Sequence, residues 1–92
     1  MPAKLEQRLR GTGTAFVGGA PLGVAVVDME SLTSATGALV RGRILPRGWD
    51  LREPGLEVVD LVLDQRTYRL SPTGSRLFSR WHNVIGYEQP AS

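Results

Sequence analysis

Leu56–Ser71 reads LEVVDLVLDQRTYRLS, an apolar–polar alternation that reverses about a short polar turn. Turning at Gln65 and Arg66 sets Leu63 opposite Tyr68 and Leu61 opposite Leu70, with Val59 on the same face. Asp60, Val62, Asp64, Thr67 and Arg69 then fall on the other face. One placement satisfies both strands at once, which is the sign of a β-hairpin with one buried side. Gln-Arg is poor chemistry for a type I′ turn, so a wider loop around Asp64–Thr67 serves equally well.

The same period-2 pattern runs upstream in short pieces separated by breakers. Thr12–Val17 is one such piece and Leu22–Ser31 a second, with Val24, Val26, Asp28 and Glu30 on one side and Ala25, Val27 and Met29 on the other. LTSAT (Leu32–Thr36) looks like a turn. Gly37–Leu45 is a third piece, with Ala38, Val40 and Ile44 against Leu39, Arg41 and Arg43. Ser75–Tyr87 fits either a helical stripe (Leu77, Trp81, Ile85) or a strand. We read Arg80–Tyr87 as a strand, because an antiparallel sheet needs its edges closed or covered. Before Gly11, Leu5 and Leu9 lie four apart and Glu6 precedes Arg10 by four, a pattern that predicts a short N-terminal helix. Residues 88–92 read as a frayed tail.

The fold expected is therefore all-β: a small antiparallel barrel or sandwich of about six short strands, with a short helix or arm over residues 1–10. With 92 residues the chain forms a single small β-rich domain. It has no cysteine, which excludes a disulfide framework and a thiolate metal site. No apolar run approaches the ~20 residues of a membrane helix, and the first residues lack the apolar region of a secretory signal. The expected location is the cytoplasm. Of eleven basic residues only Lys4 is a lysine. Abundant Gly, Ala, Val and Arg are what a GC-rich coding sequence gives, so arginine content by itself says less about nucleic acid.

GTGTAFVGGAPLG (Gly11–Gly23) invites a phosphate-loop reading. Yet Phe16 occupies the third glycine place of a dinucleotide fingerprint, and Gly19-Ala20 follow Gly18 where a P-loop needs Lys-Ser/Thr. This segment reads as a bend between strands. His82 is the sole histidine; Ser75, Ser79 and Asp60 are its conceivable partners, but no spacing selects them. Asp28 and Glu30 share a strand face, which a solvated surface explains as well as a bound cation does. We therefore expect no catalytic residues, cofactor or metal.

Two binding candidates remain. Leu45–Leu56 (LPRGWDLREPGL) is longer than a hairpin loop needs and carries Trp49 between Arg47 and Arg52, stiffened by Pro46 and Pro54. Such a loop anchors a partner or stacks on a base; alternatively Trp49 folds back to plug the barrel. The second candidate follows from charge. Asp50–Asp64 holds five acids and one arginine, and Gln65–Arg80 holds four arginines and no acid. Cross-strand pairing, such as Asp60 or Asp64 with Arg69, accounts for this. The alternative is a basic face of Arg41, Arg43, Arg69 and Arg80 beside Trp81. The sequence thus suggests a non-catalytic interaction module that binds a protein through the Trp49 loop and an exposed strand edge. A small nucleic-acid-binding barrel ranks second, and an enzyme or small-ligand barrel ranks third.

Overall fold

A computed structural model describes residues 4–34, 37–51, 57–74 and 79–90. The described residues form six strands: β1 (Lys4–Val17), β2 (Ala20–Ser34), β3 (Gly37–Arg47), β4 (Val59–Leu63), β5 (Arg66–Gly74) and β6 (His82–Glu88). They close into an antiparallel barrel in the order β1-β2-β3-β6-β5-β4, with β4 returning to β1. The chain thus makes two meanders, and Gly48–Val58 carries it from one to the other. Closure decides between the barrel and the sandwich. Among the described residues no helix is long and apolar enough to cross a membrane.

Strand periodicity fills the interior. Ala25, Val27 and Met29 point inward from β2, Val40 and Ile44 from β3, and Leu61, Leu63, Tyr68 and Leu70 from the β4–β5 hairpin. Each fully buried aliphatic side chain of this kind contributes about 1.5–3 kcal/mol by leaving water. Some interior positions must be glycine because the walls approach closely. A Cβ on Gly86 would strike the carbonyl oxygen of Arg69, and one on Gly42 would strike the Asp28 carbonyl and the Met29 Cα. A barrel of so few strands is filled by its own side chains.

Four expectations need correction. No helix forms over Lys4–Arg10; these residues begin β1, which pairs with β2 from Lys4↔Thr33 to Val17↔Ala20. A spacing of four fits a helix face, but four is also even, so it fits a strand face equally well. Pairing with β2 then decides, since a helix this short is marginal in water. Residues 1–3 lie outside the described part.

The β4–β5 register is also displaced. Leu61 faces Tyr68, Val59 faces Leu70, and Leu63 faces Arg66, so the turn residues are Asp64 and Gln65, at φ 50° and 67°. Both lie in the left-handed region a type I′ turn demands. The shift is two residues, so every side chain keeps its face. Third, the expected frayed tail does not begin at residue 88, and residues 91–92 lie outside the described part. Glu88 ends β6, and the Gln89 N–H donates to the Thr67 carbonyl at 2.8 Å. The strand over Arg80–Tyr87 is present as β6, and the Gly18-Gly19 bend is a two-residue turn between Val17 and Ala20. β2 runs on to Ser34, so Leu32–Ser34 of the expected turn are strand; residues 35–36 lie outside the described part.

Candidate functional site

At one end of the barrel, β3 stops at Arg47 and Gly48, at φ 85°, turns the chain back over β2. Trp49 then lies half-buried on the barrel wall, packed against the core, and its indole N–H donates to the Val24 carbonyl at 2.8 Å. Gly23 makes room for it: a Cβ there would come within 2.7 Å of the indole Cδ1. Leu51 follows into the core. Trp49 is thus held against the barrel on one side and open to solvent on the other. Arg47 and Arg80 are exposed, whereas Arg52 lies outside the described residues.

Trp49 borders a cavity of about 300 Å³ lined also by Pro46, Gly48, Asp50, Ser79, Arg80 and His82. His82 is buried, and its Nε2 lies 3.4 Å from the Asp50 carboxylate. Ser79 Oγ accepts a hydrogen bond from the Trp81 N–H at 3.2 Å. The sequence missed Asp50 as the carboxylate of His82. Of the conceivable partners, Asp60 pairs with Arg69 at 3.0 Å, the cross-strand pairing the sequence also offered. Pairing of β3 with β6, strands far apart in sequence, brings residue 50 to residue 82. Among the described residues no three His, Asp or Glu side chains cluster in a way that would hold a metal.

On the outer wall, three strands lie side by side with a repeating pattern. Arg8-Leu9-Arg10 on β1 pairs with Asp28-Met29-Glu30 on β2, which pairs in turn with Arg41-Gly42-Arg43 on β3. Asp28 sits among Arg8 at 3.8 Å, Arg10 at 3.3 Å and Arg43 at 3.6 Å, while Glu30 holds Arg41 at 2.9 Å. Four guanidinium groups thus share two carboxylates, and each arginine side chain remains more than half exposed. Arg43 also stacks over Trp81, its Cζ 4.6 Å from the ring centroid, a cation–π contact.

The arginines expected to form one basic face are therefore divided. Arg41, Arg43 and Trp81 come together; Arg80 belongs to the barrel end. Arg69 lies beyond β6 on β5, where the Asp60 hydrogen bond pushes its pKa still higher. Arg8 and Arg10, which complete the cluster, escaped notice because their segment read as a helix.

A third surface was not anticipated as a surface. The outward residues of β6 include Ile85 and Tyr87, 40% and 52% exposed, and Val58 beside them is 42% exposed. With Leu39, Arg69 and Gln89 they line a shallow groove of about 340 Å³. The sequence put Ile85 and Tyr87 on one strand face. The inward face belongs instead to His82, Val84 and Gly86. At Gly86 the Arg69 carbonyl leaves no room for a side chain. No protein-family model matches the chain, and no curated protein or solved structure is significantly similar to it.

Proposed function

We propose that this barrel is a non-catalytic protein-interaction module whose contact surface is the outer wall around β6. One observation carries the reading: Val58, Ile85 and Tyr87 cluster in solvent around a groove, with Arg69 and Gln89 on its rim. Contiguous exposed apolar surface with a polar rim marks interaction sites, and tyrosine supplies large contact area at low entropic cost. The binding role expected of the Trp49 loop passes to this wall, because Trp49 is engaged with Val24 and Gly23. The test is affinity capture from native cells with the wild type, Tyr87→Glu and Arg43→Glu. A partner retained by the wild type and Arg43→Glu but lost by Tyr87→Glu supports the wall. A partner indifferent to Tyr87→Glu refutes it.

A second reading, binding of single-stranded nucleic acid, draws on the Arg43–Trp81 stack beside Arg8, Arg10 and Arg41. Stacking aromatics combined with cationic grooves are how such strands are held. It ranks second because Asp28 and Glu30 offset half of the cluster's charge. Oligonucleotide titration at two salt concentrations separates the readings, since phosphate contacts weaken steeply with salt.

A further inference from the structure

β1 has the longest bare flank of the barrel among the described residues. Along its whole length it pairs with β2, but on its other side it meets β4 only from Thr14 to Phe16. From Lys4 to Gly13 that side has no ladder partner among the described residues. Every second residue of such a run presents both its N–H and its C=O outward, a template for an added strand. Beside this flank is a groove of about 230 Å³ between Gln7 and Leu9 on β1 and Leu63, Asp64, Arg66 and Tyr68 of the β4–β5 hairpin. Leu9, Leu63 and Tyr68 line its inner side and are buried.

The chemistry of an added strand can be read from the strand already on the opposite flank. There, Asp28-Met29-Glu30 answers Arg10-Leu9-Arg8: acid against arginine on the outer wall, and methionine beside leucine within. Asp28 is divided among three arginines, so Arg8 and Arg10 keep unneutralised charge, their side chains 57% and 67% exposed.

We propose that the open flank of β1, from Gln7 to Gly13, accepts an extended segment of a partner protein carrying an acid–apolar–acid sequence. The two acids lie on the outer wall against Arg8 and Arg10. The apolar residue between them turns into the groove onto Leu9, Leu63 and Tyr68. Main-chain hydrogen bonds supply the affinity and the side chains supply the selection, as in other cases of strand addition. The occupant is not a second copy of β1, because antiparallel self-pairing centred on Leu9 would set Arg8 against Arg10 of the other copy. This inference rests on the reading of the barrel as a protein-binding module, but it uses a different surface.

The probe is an end-capped peptide with the sequence VVDMESL, copied from Val26–Leu32, titrated into the isotope-labelled whole chain at low salt. Binding should slow amide exchange within Gln7–Gly13. The peptide with both acids replaced by lysine should not bind. The Arg8→Gln/Arg10→Gln variant should bind the acidic peptide about tenfold more weakly. N-methylating one alternate set of peptide residues should abolish binding while the other set is spared, which charge attraction alone would not produce. Tyr87→Glu should leave this binding intact, so the β6 wall and the β1 flank can fail separately. The proposal is overturned if the peptide does not bind, or if it binds without protecting β1. It is equally overturned if every β1 amide from Gln7 to Gly13 is already protected in the free protein, which would mean the chain covers its own flank.

Discussion

The indole N–H of Trp49 donates to the carbonyl oxygen of Val24 at 2.8 Å, tying the start of the β3–β4 connection to the outer margin of β2. Replacing Trp49 with phenylalanine keeps most of the packing and removes the donor, so we predict a loss of about 1 kcal/mol. Trp49→Ala should cost about 3 kcal/mol, since it also empties the space over Gly23. Urea denaturation of both variants checks the pair. Equal stability of wild type and Trp49→Ala would mean that the indole does not hold the connection.

Gly23→Ala attacks the same contact from the other side. The new methyl would meet the indole at 2.7 Å, and the backbone there has φ 147°, outside the range side chains favour. A loss of about 1–3 kcal/mol is expected, with altered Trp49 fluorescence. The measurement belongs in a Trp81→Phe background shown to be folded.

The β4–β5 turn offers a stabilising change. Gln65 holds φ 67°, a conformation that costs a residue with a side chain about 1–2 kcal/mol. Gln65→Gly makes the turn Asp-Gly, a favoured type I′ pair, and should raise stability by about 1 kcal/mol. Were the turn instead at Gln65 and Arg66, Arg66→Gly would be the stabilising variant. Thermal melting of the two distinguishes the registers.

Side-chain parity in that hairpin is open to the same measurement. Leu61 is fully buried while Val62 on the opposite face is only half-buried. We predict that Leu61→Ala costs about 2–5 kcal/mol and Val62→Ala clearly less. Equal losses would contradict the facing of β4.

Tyr68 gives the barrel an alkaline limit. Burial pushes its phenol above the ordinary value of 10.0, and the Glu88 carboxylate adds to the rise. The folded state therefore favours the protonated phenol, whereas the unfolded chain ionises at the ordinary value. The resulting stability is fully present below about pH 10 and is lost as pH rises through the raised value. Urea midpoints followed from about pH 8 to 11 should fall more steeply for the wild type than for Tyr68→Phe. Parallel curves would show that Tyr68 does not link folding to pH.

The sequence by itself determined which side chains share a face. Period-2 alternation divided Val24–Glu30, Ala38–Ile44 and Leu61–Leu70 into two sides each, because a strand's side chains can lie only on one side or the other. It also identified the Gly18-Gly19 bend, where two residues with φ above zero are needed. Register stayed beyond its reach. A displacement of two residues at Asp64–Gln65 leaves every face unchanged, so alternation cannot detect it.

Whether Leu5 and Leu9 lie on a helix or a strand was equally open, since a spacing of four is compatible with both. The partner strand, β2, decided it. The site shows the same division. Asp60 near Arg69 was legible, with Asp64 as the other choice, because all three belong to one local hairpin. Trp49 on Val24, Asp50 beside His82, and Asp28 among Arg8, Arg10 and Arg43 each join distant parts of the chain. Strand pairing brings them within a few ångströms, β1–β2 and β2–β3 for Asp28 and Trp49 and β3–β6 for Asp50 and His82, and no local pattern encodes those registers.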